Sequence, residues 1–185
     1  PTMSVIAKRC PEITVNVVDI NKERIDSWNN SNLDKLPIFE PNLKEIVKKC
    51  RGINLFFTTE LEKNIASADM VFISVNTPTK TKGLGAGQAS DLKWVEASAR
   101  QVAKFAKGHT IIVEKSTLPV KTAEVIKKIL ESSQCSIGEK NKSFDVLSNP
   151  EFLAEGSAIK DLEYPDRVLI GGESKEAILA LDSIY

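Results

Sequence analysis

Six short apolar runs rich in β-branched residues punctuate this chain: Ile13–Val18, Asn54–Thr58, Met70–Val75, Thr110–Val113, Phe144–Leu147 and Arg167–Ile170. Each reads as a strand, and the segments between them carry helical spacing. In 91–106, Leu92, Val95, Ala99, Val102 and Ala106 recur three or four residues apart, so they share one helix face, with Ser90 placed to cap it. The next helix has Pro119 in its first turn, where a missing N–H costs nothing; Ile126, Ile129 and Leu130 form its stripe, and Gly138 follows its end. Residues 1–10 read as a helix, with Val5, Ile6 and Ala7 apolar. Strands alternating with helices predict a doubly wound, mainly parallel α/β sheet. There is no internal repeat and no low-complexity tract.

Composition narrows this picture without changing it. At 185 residues and 42% hydrophobic content the chain can build a single core. Lysine plus arginine equals aspartate plus glutamate at 25 each, and no basic cluster tracks a phosphate backbone, so no nucleic-acid partner is expected. No apolar run nears the roughly 18 residues of a membrane span, and residues 1–10 do not resemble a signal segment. Cys10, Cys50 and Cys135 are far apart and form no C-x-x-C pair, and His109 is the single histidine. No metal site is expected, each cysteine reads as a small structural residue, and a reduced, cytoplasmic setting follows.

The polar segments that follow three of the strands carry the candidate chemistry. They are S-V-N-T-P-T (74–79), E-K-S-T-L-P-V (114–120) and S-N-P-E-F-L-A-E-G (148–156). Open α/β sheets bind ligands at the carboxyl ends of their strands, so these loops are expected to form one wall of a crevice. Glu151 and Glu155 lie four apart; if 151–155 form a helical turn they share a face, and like charge raises one pKa. Without further information, two solvated acids opening a helix explain them as well. The stretch K-T-K-G-L-G-A-G-Q-A-S-D (80–91) has the look of a dinucleotide loop, but no buried strand runs directly into its first glycine, so it reads as a flexible loop. Asp19 ends the run 13–18, where a Rossmann unit holds the adenosine ribose and disfavours a 2′-phosphate. An aspartate there also commonly starts a turn. Arg24 is either a solvated helix charge or a planar cation for adenine or phosphate. The matching glycine loop is expected about 20 residues before Asp19, ahead of Pro1. The sheet is therefore expected to lack its first strand and glycine loop.

Taken together, V-V-D-I-N-K-E-R-I (17–25), L-P-I-F-E-P-N-L-K-E (36–45), F-I-S-V-N-T-P-T-K-T (72–81), V-E-K-S-T-L-P-V (113–120) and S-N-P-E-F-L-A-E-G-S-A-I-K-D-L (148–162) closely resemble the UDP-glucose 6-dehydrogenase family of the UDP-glucose/GDP-mannose dehydrogenases. Five ordered motifs carry the resemblance over nearly the whole chain. It implies that residues 1–185 are most of an N-terminal NAD-binding Rossmann-like domain, cut at both ends, without the central helix and UDP-binding domain. It implies NAD as cofactor, UDP-glucose as substrate and UDP-glucuronate as product of two successive oxidations, in a full-length protein that is a homo-oligomer. Asp19 and Arg24 would hold the adenosine. Val75, Asn76, Thr77, Pro78 and Thr79 would line the dinucleotide, as would Ser116, Thr117 and Leu118, with Glu155 on the nicotinamide side. Glu151, Phe152, Leu153, Ala154 and Glu155 would line the sugar, and Glu151 would serve the acid–base steps.

The resemblance also implies parts that this sequence does not contain: the family's glycine-rich loop, its catalytic lysine and its catalytic cysteine in a G-F-G-G-S-C type segment. None of the three cysteines here sits in such a context. Oxidising an alcohol to an acid needs a covalent hold on the intermediate aldehyde, which a cysteine supplies as a thiohemiacetal and then a thioester. Hydrolysis of that thioester needs a carboxylate base for water, the role that falls to Glu151, with the Thr117 hydroxyl orienting the same water or capping its own turn. The 185-residue polypeptide alone is accordingly expected to be inactive and to bind NAD poorly. Two alternatives stand beside this reading: another nucleotide-sugar dehydrogenase, such as the GDP-mannose type, and a non-catalytic interaction module.

Overall fold

The computed structural model describes all residues except 84, 85, 89, 117–121 and 135–141. In chain order the elements are α1 (Thr2–Arg9), β1 (Val15–Val18), α2 (Lys22–Trp28), a 3-10 turn at Leu33–Lys35, α3 (Leu43–Cys50), β2 (Leu55–Thr58), α4 (Leu61–Ala66) and β3 (Met70–Ile73). Then follow α5 (Lys93–Phe105), β4 (His109–Glu114), α6 (Thr122–Gln134), β5 (Ser143–Ser148), α7 (Ala158–Glu163) and α8 (Lys175–Asp182). The chain divides into two compact units. One comprises Pro1–Asn64, Phe152–Val168 and Ser183–Tyr185; the other comprises Ile65–Glu151 and Leu169–Asp182.

In the first unit β1 and β2 pair in parallel, from Val15 opposite Leu55 to Val18 opposite Thr58. Helix α3 forms because Leu43, Ile46, Val47 and Cys50 fall at i, i+3, i+4 and i+7, and all four are buried. The Trp28 ring stacks on Phe57 with centroids 4.8 Å apart, fixing α2 against β2. Buried Asn54 donates from one amide group to the carbonyls of Ala7 and Ile13, closing the entry to β1.

In the second unit β3, β4 and β5 form a parallel sheet in that order, with Ile73 level with Glu114 and Glu114 level with Ser148. Its core holds Ile112, Val113, Leu147, Val95, Val102, Ile126 and Leu130, all essentially inaccessible. Every strand pairing within the two sheets, β1–β2 in one and β3–β4–β5 in the other, is parallel. The fold is the predicted α/β class with parallel sheets.

Several expectations change. Arg167–Ile170 is not a strand: the Leu169 carbonyl is taken by the Asn149 side chain, and only Gly171 bridges Ser148, in the antiparallel sense. The close approach depends on glycine, since a Cβ at Gly172 would collide with Leu147. Ser90 does not cap α5; it bridges Thr79, and the Asp91 carboxylate accepts the Lys93 N–H instead. The 80–91 segment is pinned at its base by that bridge and by Asp91 N–H to the Pro78 carbonyl (2.7 Å). Residues 151–154 have no regular structure and 155–157 form a turn, so Glu151 and Glu155 do not share a helix face. The reason is local: Gly156 is left-handed (φ 83°), and α7 starts only at Ala158. Pro119, Gly138 and Cys135 lie outside the described residues.

Candidate active site

Because β3, β4 and β5 run parallel and in register, their carboxyl ends finish at one level and release their loops together. The loops border an open cavity of roughly 360 Å³ lined by Ser74, Val75, Asn76, Thr77, Lys115, Ser116 and Glu151. All three predicted polar segments therefore contribute, and the Ser116 hydroxyl ties two of them by donating to the Val75 carbonyl (3.0 Å). Of the predicted residues, Val75, Asn76, Thr77, Ser116 and Glu151 converge here. Pro78 and Thr79 do not line the cavity; they anchor the base of the 80–91 loop. Thr117 and Leu118 lie outside the described residues.

Two charged residues that the sequence reading did not single out stand at the end of β4. Glu114 is 3% exposed, and burial pushes its carboxyl up to about 7 against hydrogen bonds from the Ser116 N–H and the Ser148 side chain and the charge of Lys115. Its Oε1 has no hydrogen-bond partner among the described residues. Lys115 is 4% exposed; burial lowers its pKa, and the charges of Glu151 and Glu114 work against that shift. Its Nζ donates to Asn149 Oδ1 at 3.0 Å. The available signal was two adjacent charges directly after Ile111-Ile112-Val113, where a buried strand normally exits to solvent.

The remaining predicted residues belong to the other unit. Asp19 follows β1, and its Oδ2 accepts from Arg24 Nη1 (3.1 Å) while Oδ1 accepts the Asn21 N–H (2.8 Å). Each carboxylate oxygen keeps a further lone-pair site, and the group is partly exposed, so it can accept the paired hydroxyls of a ribose. In the 152–158 segment, buried Glu40 accepts the N–H groups of Gly156 (2.9 Å) and Ala158 (3.3 Å). Phe152 is exposed with the Arg167 guanidinium 4.7 Å over its ring; Ala154 and Glu155 are exposed and Leu153 half-buried.

Cys10 and Cys50 are buried and free, and desolvation raises both thiols, as suits structural residues. Among the described residues no cluster of ligating side chains can hold a metal, and no helix is long and apolar enough to cross a membrane.

Parallel strands alternating with helices, with polar residues gathered at the carboxyl ends of β3, β4 and β5, place the chain in the Rossmann-like α/β class. The UDP-glucose/GDP-mannose dehydrogenase family, NAD binding domain, matches residues 1–185, and the chain belongs to that family. Its relatives include UDP-glucose 6-dehydrogenase 5 of Oryza sativa subsp. japonica, 58% identical over 189 residues. UDP-glucose 6-dehydrogenase of Gallus gallus is 54% identical. All of this chain aligns in both cases, but it spans only 38% and 37% of their lengths. Among solved structures, GDP-mannose dehydrogenase from Pseudomonas aeruginosa superposes with a TM-score of 0.82 at 29% identity. A UDP-glucose dehydrogenase from Pyrobaculum islandicum gives 0.81 at 29% identity. Each is covered to 40–41% by the whole of this chain. The chain is thus an NAD-binding domain of the UDP-glucose/GDP-mannose dehydrogenase family.

Proposed function

We propose that this domain serves an enzyme that oxidises the C6 alcohol of UDP-glucose to the carboxylate, giving UDP-glucuronate. The observation that carries the reading is the cavity in which Glu151 meets the loops after β3 and β4. Bound NAD supplies the hydride acceptor for both oxidations. Asp19 and Arg24 hold the adenosine end, and Val75, Asn76, Thr77 and Ser116 line the dinucleotide path. The sugar is assigned to Glu151, Phe152, Leu153, Ala154 and Glu155.

The protein's own work is then to hold atoms and move protons. Glu151 is the base that deprotonates a water, so that its oxygen adds to the carbonyl carbon of a cysteine thioester. The thiolate leaves, and the sugar carboxylate is released. The cysteine is supplied by the part of the enzyme by which the relatives exceed this chain, and Thr117 orients the same water. Separating this reading from the GDP-mannose type is direct. The full-length enzyme is assayed with UDP-glucose and GDP-mannose at equal concentration. A preference of less than about tenfold for UDP-glucose, or a preference for GDP-mannose, overturns the substrate assignment.

A further inference from the structure

Lys115 is a costly residue to bury. An ammonium removed from water is destabilising unless it is paired and hydrogen-bonded, and an apolar side chain of similar size would fill the same space. Yet Lys115 is 4% exposed and lines the same strand-end cavity as Glu151. Its Nζ is held by Asn149 Oδ1 at 3.0 Å. Asn149 is itself fixed on two further sides, by its N–H to the Glu114 carbonyl (2.8 Å) and its Nδ2 to the Leu169 carbonyl (2.9 Å). Pro150 follows with a restricted φ, so the backbone that leads into Glu151 departs from a pinned point in a limited set of directions.

We propose that Lys115 is a positioning residue for Glu151: through the Asn149 clamp and its own charge it sets where the Glu151 carboxylate stands in the strand-end cavity. The inference rests on the proposed role of Glu151 as base. Glu151 and Glu114 both act electrostatically on the Lys115 ammonium, and such an interaction is mutual. A carboxylate left to wander in a cavity of this size would meet the reacting water in productive geometry only a fraction of the time. Misplacement by about 1 Å is enough to cost on the order of 10²-fold in rate.

The test is a double-mutant cycle in the full-length enzyme, with Lys115→Met, Lys115→Gln and Lys115→Arg each made alone and with Glu151→Gln. Lys115→Met and Lys115→Gln are expected to lower kcat by about 10²-fold while KM for UDP-glucose stays within about twofold. Lys115→Arg is expected to restore most of the rate, since it keeps the charge. If Lys115 acts through Glu151, either neutral variant combined with Glu151→Gln is no slower than Glu151→Gln alone. Additive losses, an effect confined to KM, or unchanged kcat in a folded neutral variant would overturn the inference while leaving Glu151 as base. If both neutral variants fail to fold, the cycle runs on Lys115→Arg, whose smaller loss of rate is expected in the wild-type background and absent in the Glu151→Gln one; equal loss in both overturns it. A wild-type enzyme that oxidises no nucleotide sugar overturns the functional reading, and this inference with it.

Discussion

Glu114 makes stability depend on pH. Its carboxyl is raised by burial to about 7 in the folded chain, whereas an unfolded chain returns it to its ordinary value near 4.5. Between those values the folded state holds a proton that the unfolded state has lost. The contribution is therefore fully present below about 4.5 and is lost as pH rises through about 7, by roughly 3 kcal/mol in all. Glu114→Gln should flatten that slope, which denaturant unfolding from pH 4.5 to 8 would reveal; an unchanged slope would mean that Glu114 is not the group responsible. Asp19 makes a second residue-level prediction. In the proposed ribose site its carboxylate, oriented by Arg24 and the Asn21 N–H, would repel a 2′-phosphate. The full-length enzyme should prefer NAD to NADP, and Asp19→Ala should narrow that preference by weakening NAD. Equal use of both cofactors by the wild type would contradict the assignment.

At the scale of elements, the start of α7 depends on a residue far away in sequence. Glu40, in the P-I-F-E-P motif, receives the N–H groups of Gly156 and Ala158 on its two carboxylate oxygens. Removing it leaves two donors without their acceptor at a helix start, so Glu40→Ala should cost about 2–3 kcal/mol. Amide exchange at Gly156 and Ala158 should speed up more than exchange in β4; uniform acceleration would instead indicate general loosening. This contact explains why part of the structure was not legible along the chain. Strand positions were readable because Val, Ile and Phe cluster between turn residues, and five of the six predicted strands formed. The three loops that meet at the cavity were readable for the same reason, because parallel strands must end together. Arg167–Ile170 has the same apolar look, but its fate is decided by the Asn149 amide and by Gly172 against Leu147, neither of which is a local signal. The helical turn expected at 151–155 failed likewise, since a left-handed Gly156 and a distant Glu40 set the helix start. Lys115 was overlooked because a charge after an apolar strand normally marks the exit to solvent, and here the strand end is covered on both sides by β3 and β5.

For the whole molecule, the residues proposed for cofactor and base fall in two compact units. The first holds Asp19 and Arg24 after β1, and the second holds the strand-end cavity with Glu151. Family membership covers residues 1–185, and the fold agrees with nucleotide-sugar dehydrogenases of two kinds, so the assignment of NAD does not depend on a single residue. In the proposed reaction this domain works in a four-electron oxidation, carried from alcohol to acid without release of the aldehyde. That reaction fixes a stoichiometry, which no change of a binding residue would alter. The most direct measurement is NADH formed per UDP-glucose consumed by the full-length enzyme at completion, with the sugar product identified by mass. About two NADH are expected for each UDP-glucuronate. One NADH with free aldehyde, or no NADH from any nucleotide sugar, would contradict it.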